Sequence, residues 1–508
     1  MHLNSVLKNK FGYDSFRMGQ REIIEDILAG NDVVALLPTG GGKSICYQLP
    51  GYVGEGSVLI ISPLLSLMED QVEQLRLLGE KKVIALNSFL SLQEKRHAIN
   101  ELQDYRFIFI SPEMLQTNYV IDVLKKVKIS LFVIDEAHCI SQWGHDFRTD
   151  YLKLRQIREL VGNPPCLSLT ATATNEVLQD IVKSLGLKSF KKHTYSVDRP
   201  NIAISVEKVN TVDDKMDRVV RLVTTLQGPG IIYFSSRYWT EIMCKHLQKS
   251  GIENVAYYHG GLDQEQRMLI QQQFLNNQLE LICCTSAFGM GVNKRNIRYV
   301  LHFHFPNQLE AYLQEIGRAG RDGQESVANI IYCSSDHDVP KLLIESELPT
   351  AEQVQHTLYY LTSAKRNKYG LKLSKEFEEQ LFQKVKISEV HWRFIKFQLE
   401  ENMVINNEMV RQSFDIDLVA KQITEVVNIR LEQKQKKLSA MINWIHSTTC
   451  RRKGILTYFG ETSFTKQKLC CDRCGLRFEP YQRRHGVQQK LEFVNWKKEL
   501  DEILLISE

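Results

Sequence analysis

The run Val33-Val34-Ala35-Leu36-Leu37-Pro38-Thr39-Gly40-Gly41-Gly42-Lys43-Ser44, continuing as ICYQLP from Ile45, decides the fold. Its opening residues are apolar without alternation, the pattern of a strand covered on both faces. A glycine loop follows, and then a stretch compatible with a helix. This order directs backbone N–H groups and a helix N-terminus at an anion. The general phosphate-loop pattern has a glycine where Leu37 stands, so this is a looser form of it.

Working outward, similar apolar runs recur at VLIIS from Val58, FIFIS from Phe107, LFVID from Leu131 and CLSLTAT from Cys166. A second series follows at GIIYFSS from Gly230, LICCTS from Leu281, YVLHFHF from Tyr299 and NIIYCSS from Asn329. Buried strands of this kind, separated by helix-length segments, predict parallel sheets. The expectation is an α/β fold of two tandem RecA-like lobes, residues 1–203 and 204–345, jointed near Asp198, Arg199, Pro200 and Asn201.

Within this frame the phosphate loop acquires partners. Lys43 can reach the β and γ phosphates of ATP and Ser44 can hold Mg2+, with Thr39, Gly40, Gly41 and Gly42 as the cradle. The strand LFVID ends in Asp135 and Glu136, suited to hold the magnesium and to polarise the attacking water. In YLQEIGRAGRDG, Arg318 and Arg321 lie three residues apart, and their guanidinium groups can stabilise a γ-phosphoryl transition state from across a cleft. The glycines Gly317 and Gly320 suggest close approach to a ligand. If these arginines sit on the second lobe, ATP joins the lobes and hydrolysis releases them.

Of 508 residues, 43% are hydrophobic and 24% charged, as in ordinary soluble globular chains, and the length suggests about three domains. No apolar stretch is long enough to span a membrane. The N-terminus lacks the basic segment, apolar run and cleavage site of an exported chain, so an intracellular, cytoplasmic location is expected. The formal net charge is +4, but from Lys434 to Lys498 there are 15 Lys and Arg against 4 Asp and Glu. A clustered basic end is the electrostatic footprint of nucleic-acid binding, although a solvated charged face has the same composition.

After residue 345 the strand pattern stops. The segments AEQVQHTLYYLT, KEFEEQLFQKV and SEVHWRFIKFQLEENMVI show helical spacing. A helical, winged-helix-like unit is expected over 346–430, with a plain helical spacer as the alternative. Of 11 cysteines, seven are scattered as small core residues, while Cys450, Cys470, Cys471 and Cys474 crowd together. Four thiolates satisfy a tetrahedral structural zinc. A zinc-binding domain is placed at 431–480 and a basic tail at 481–508. Cys470 and Cys471 are adjacent, so the backbone there must turn if both reach one metal.

These motifs, in this order, resemble the RecQ branch of superfamily-two DNA helicases over roughly residues 10–340 and again at the cysteines. FGYDSFRMGQREII resembles the family's adenine-reading motif, which implies stacking by Tyr13 and hydrogen bonding by Arg17 and Gln20. ISPLLSLMEDQV and ISPEML are similar to its strand-gripping motifs. LTATAT, with Thr170 and Thr172, resembles the motif linking hydrolysis to movement. HCISQWGHDFRTDY resembles the family's aromatic-rich loop, with Gln142, Trp143, Phe147 and Arg148 as DNA-binding or coupling residues. Trp143 and Phe147 offer faces for bases and Arg148 a phosphate contact. Thr149 departs from the proline common in the family, and Lys468 stands where many relatives carry cysteine.

The resemblance implies an ATP-dependent DNA helicase with 3′ to 5′ polarity, acting in recombination and repair on single-stranded and partly duplex DNA. It uses ATP, Mg2+ and structural Zn2+, and its partners include single-strand-binding and other repair proteins. CRRKGILTYFGE resembles the zinc-domain entry, with Arg451, Arg452 and Lys453 as phosphate contacts. Only 34 residues follow Cys474, which suggests a RecS-like short form without the HRDC tail. Two other readings of the motor are an RNA translocase and an annealing protein switched by ATP.

Overall fold

A computed structural model describes residues 3–63, 65–87, 90, 92–141, 148–288, 294–364, 371–406, 409–462 and 470–483. Gln142, Trp143, Phe147, Lys468 and the tail beyond residue 483 lie outside the described residues.

Lobe 1 holds seven parallel strands: β1 (Asp32–Leu36), β2 (Ser57–Ile61), β3 (Val83–Leu86), β4 (Phe107–Ile110), β5 (Ile129–Ile134), β6 (Cys166–Thr170) and β7 (Phe190–Thr194). Their spatial order is β3-β4-β2-β5-β6-β1-β7. Lobe 2 has six, also parallel: β8 (Ile202–Lys208), β9 (Gly230–Tyr233), β10 (Val255–Tyr258), β11 (Leu281–Cys284), β12 (Tyr299–His302) and β13 (Ser326–Tyr332). Their order is β10-β11-β9-β12-β13-β8. Helices cover both faces, so inner strands such as β2 and β9 are buried along their whole length. The joint between lobes is the short segment after β7. Because β8 begins at Ile202, it opens slightly before the expected boundary at 203.

β1 and β5 are inner strands of their sheet, separated only by β6, so their carboxyl ends lie close together. In such sheets the carboxyl ends form the ligand crevice. Residues immediately after β1 and β5 therefore share one cleft.

The region after lobe 2 is mainly helical. Helices Ala351–Ser363, Lys375–Val385 and Glu389–Glu401 alternate with three very short antiparallel strands, β14 (Leu371–Lys372), β15 (Ile405–Asn406) and β16 (Met409–Val410). Thr350, Ser374 and Ser388 cap the three helices by accepting backbone N–H bonds. Leu358, Leu381, Trp392, Ile395 and Val410 form a core of their own. One boundary needs correction: helix Ile416–His446 runs unbroken through residue 430. Its first half, with Val419 and Ile423, belongs to that core, and its second half, with Met441 and Trp444, packs with lobe 2.

Candidate active site and metal centre

Between the lobes lies a cleft of about 630 Å³. Tyr13, Arg17, Gln20, Thr39, Gly40, Gly42, Lys43, Ser44, Asp135 and Glu136 line it from lobe 1, and Arg318 and Arg321 from lobe 2. Gly41 holds the loop's turn, its N–H donating to Pro38 O at 2.9 Å. Gly40 and Gly42 have φ of 81° and 76°, a conformation that side-chain-bearing residues rarely adopt. Lys43 Nζ lies 3.0 Å from Glu136 Oε1 and 3.9 Å from Asp135 Oδ1. Glu136 itself has φ 48°, a strained setting for a non-glycine residue and common at reacting sites.

The charges form two opposed groups. Burial pulls the Lys43 ammonium down, but Glu136 and Asp135 more than compensate and hold its pKa above the ordinary value. Burial pushes the Asp135 carboxyl up to about 6, against the pull of Lys43. On the other wall, burial and then the neighbouring Arg318 and Arg199 guanidinium groups bring Arg321 down to about 10. A crowd of buried cations is relieved by a polyanion, and the acidic pair facing it suits a divalent ion. The site therefore fits a magnesium-bound nucleotide triphosphate.

Some predicted residues have other attachments. The Arg17 guanidinium donates to Gly40 O, and Gln20 Nε2 donates to Gly42 O at 2.9 Å, so both brace the phosphate loop while lining the cleft. Gly317 and Gly320 make their close approaches to protein: a Cβ on Gly317 would stand 2.0 Å from Thr39 Oγ1, and one on Gly320 2.4 Å from Asn201 Nδ2. Thr170 and Thr172 are buried. Thr170 Oγ1 lies 3.0 Å from His138 Nδ1, and His138 lies 3.4 Å from Glu136 Oε2, a short path from the end of β6 to the acidic pair. Arg148 also donates to Pro63 O at 2.9 Å, just past the end of β2.

Asp70 and Gln71, read as part of a strand-gripping motif, line the ATP cleft instead, and Arg199, read only as part of the joint, bonds to the phosphate loop. Asp70 lines the cleft, and burial, with Glu73 adding, pushes its carboxyl up to about 7. The ionised form is thus disfavoured in the folded chain, with a cost complete above about pH 7 and absent below about pH 4. Asp70→Asn should raise Tm by a few degrees at pH 8, on the order of 1–2 kcal/mol, and leave it unchanged at pH 4. Thermal melts of both proteins at the two pH values test this.

The four cysteines come together. Their sulfur atoms all lie within 4.8 Å of one another, with Cys450 and Cys470 at 3.5 Å. Four thiolates about 2.3 Å from a central zinc require sulfurs about 3.8 Å apart, so the cluster fits structural zinc. The required turn exists: Cys471 is extended, and a single 3-10 turn, Asp472–Cys474, brings Cys474 back. Cys470 O accepts from Ile204 N at 3.1 Å, docking the knuckle along the outer edge of β8.

Arg451 and Arg452 are not phosphate contacts. Both are at least 98% buried. Arg451 is tied to Asp472 and to the Trp444 and Ile445 carbonyls, and Arg452 to Asp198 and the Arg199 and Ile202 carbonyls. They serve the packing of the knuckle on the joint, whereas Lys453 is exposed. Replacing Cys471 with Ser should release zinc and lower Tm by at least 10 °C, because metal binding supplies the knuckle's folding energy. A chain that melts unchanged would remove the zinc assignment.

With this geometry established, the chain can be compared with known proteins. Residues 17–181 match the DEAD/DEAH box helicase family, 214–323 the helicase conserved C-terminal domain, and 403–475 the RecQ zinc-binding family. The chain is 44% identical over 507 residues to the Bacillus subtilis protein described as probable ATP-dependent DNA helicase RecS, covering 99% of this chain and 98% of that one. It is 33% identical over 483 residues to the ATP-dependent DNA helicase RecQ of Synechocystis, covering 93% and 98%.

The chain belongs to the RecQ family.

It joins two helicase lobes to a cysteine-rich module. At the level of fold it is similar to Mycobacterium smegmatis helicase Lhr bound to single-stranded DNA and AMP-PNP, with a TM-score of 0.56 at 17% identity over 78% of this chain and 57% of that one. The DUF1998 helicase MrfA bound to DNA and AMPPNP gives 0.56 at 19% identity, over 66% and 50%. No helix among the described residues is long and apolar enough to cross a membrane.

Proposed function

We propose that this RecQ-family chain is an ATP-hydrolysing DNA helicase that moves 3′ to 5′ on single-stranded DNA and unwinds duplexes during recombination and repair. The supporting observation is the cleft itself, with Lys43, Asp135 and Glu136 on one lobe facing Arg318 and Arg321 on the other. A site divided this way is complete only when the lobes are together, so binding and hydrolysis of ATP alternately close and release them. Lys43 binds the phosphates, Ser44 and Asp135 hold Mg2+, Glu136 orients the water, and the arginines stabilise the transition state. Bound Mg2+ neutralises charge on the phosphate oxygens. Tyr13, at the cleft edge, carries the adenine ring with Arg17 and Gln20.

DNA runs across the lobes past Trp143 and Phe147. Its recruitment near β5 reports to Glu136 through His138 and Thr170. The unit between 346 and 430 is a winged helix by its order of helix, strand, two helices and paired strands. Its third helix faces lobe 1, with Glu400 3.1 Å from Lys153 at the end of the turn Thr149–Lys153. Single-strand-binding and other repair proteins are the expected partners, in the cytoplasm at the nucleoid.

The deciding measurement is steady-state ATPase of wild type and Lys43→Ala with DNA or RNA strands at two salt concentrations. Stimulation at least tenfold by single-stranded DNA, weaker with RNA, reduced by salt and absent in the variant supports the assignment. Turnover indifferent to DNA would overturn it.

A further inference from the structure

The joint between lobes carries one residue that touches both halves of the active cleft. Arg199 Nη1 donates to Thr39 O at 2.9 Å and to Gly317 O at 3.0 Å. Its Nη2 donates to Ala319 O at 3.0 Å and to Gly320 O at 2.7 Å. Thr39 begins the phosphate loop of lobe 1, while Gly317 to Gly320 form the turn of lobe 2 that bears Arg318 and leads to Arg321. Both terminal nitrogens of the planar guanidinium are thus shared between two carbonyls each.

These four bonds are not equivalent. Three join the joint to the lobe 2 turn, and Asn201 strengthens that attachment by donating to Gly320 O at 2.9 Å and Gln324 O at 2.8 Å. The fourth crosses to lobe 1, where Gly317 and Thr39 are in contact. Opening the lobes breaks this bond and leaves the other three. Behind the joint, Arg452 of the zinc module fixes the backbone by donating to the Arg199 and Ile202 carbonyls.

We infer that Arg199 is a positioning residue for hydrolysis: it shapes the Gly317–Gly320 turn, and by capturing the Thr39 carbonyl on closure it sets Arg318 and Arg321 against the phosphate loop. The inference rests on the motor reading above. Arg199 touches no reacting atom, so its removal affects turnover rather than nucleotide capture. Lysine, with three N–H donors on a single nitrogen, cannot span four carbonyls.

The test compares wild type, Arg199→Ala and Arg199→Lys as full-length, zinc-loaded proteins. It reads kcat and KM for ATP with saturating single-stranded DNA, affinity for a fluorescent ATP analogue, zinc content and Tm. The expected result for both variants is a kcat at least tenfold lower, with analogue affinity within threefold of wild type and zinc retained. Arg199→Lys preserves charge and length, so the comparison stands even if the alanine variant folds poorly. A kcat for Arg199→Lys within twofold of wild type overturns the inference, as does loss of analogue binding equal to the loss of turnover. If wild-type turnover ignores DNA, the motor reading fails, while the same variants without DNA still test Arg199.

Discussion

Replacing Arg321 with alanine should lower kcat for ATP hydrolysis by about 10³-fold or more, the effect of removing a guanidinium group from a phosphoryl-transfer site. Arg321 comes from lobe 2, yet its stem lies by the phosphate loop, where a Cβ on Gly40 would be 3.7 Å from Arg321 Cγ. Its half-buried charge is crowded by Arg318 and Arg199, which a bound anion would offset. Binding of ground-state ATP relies mainly on the loop and Lys43, so affinity for a non-hydrolysable analogue should change by less than about tenfold. Phosphate-release kinetics beside analogue titration distinguish the two effects. If turnover falls less than tenfold, Arg321 is a structural arginine.

Glu136→Gln should reduce turnover by about 10²- to 10⁴-fold while sparing nucleotide binding. The substitution keeps size and shape but removes the ability to accept a proton. Lys43 loses one charged partner at 3.0 Å and keeps Asp135 at 3.9 Å, so the phosphate loop retains its anchor. The variant should also trap the closed complex on DNA, visible as slower release of a labelled strand in the presence of ATP. Retention of more than a tenth of wild-type turnover would refute Glu136 as the group that activates water.

Much of this site was readable from residue order because each part sits where an inner strand ends. Lys43 follows β1 and Glu136 follows β5, and inner strands announce themselves as continuous apolar runs. The strands that escaped notice are the four sheet edges, β3, β7, β8 and β10. β7, with Lys191 and Lys192 exposed, has the composition of a solvated edge. β8 is more instructive: its first five residues are buried although it ends a sheet, because the Cys470–Cys471 knuckle covers it. A contact between residues more than 260 positions apart leaves no local pattern to read.

The same limit explains the residues whose roles changed. Arg451 and Arg452 look like phosphate contacts when only their neighbours in sequence are considered, but tertiary carbonyls and carboxylates claim them. Arg199 shows the converse, since nothing nearby in the chain indicates that four distant carbonyls converge on it. The helical periodicity after 350 was likewise clear, whereas strands of two residues are too short to produce any.

The helix Ile416–His446 has a mechanical consequence. Its 31 residues at about 1.5 Å each make a rod roughly 46 Å long. Lys437, paired with Glu310 at 2.8 Å, fastens the rod near its motor end, while its other end is embedded in the small three-helix unit. From Lys437 to Ile416 the rod measures about 32 Å, so a tilt of about 10° at the fastened point would move the far end by roughly 5 Å, between one and two nucleotide spacings along a duplex strand. Any tilt at the motor end would therefore reach the small unit in proportion to the length of helix between the two anchorages.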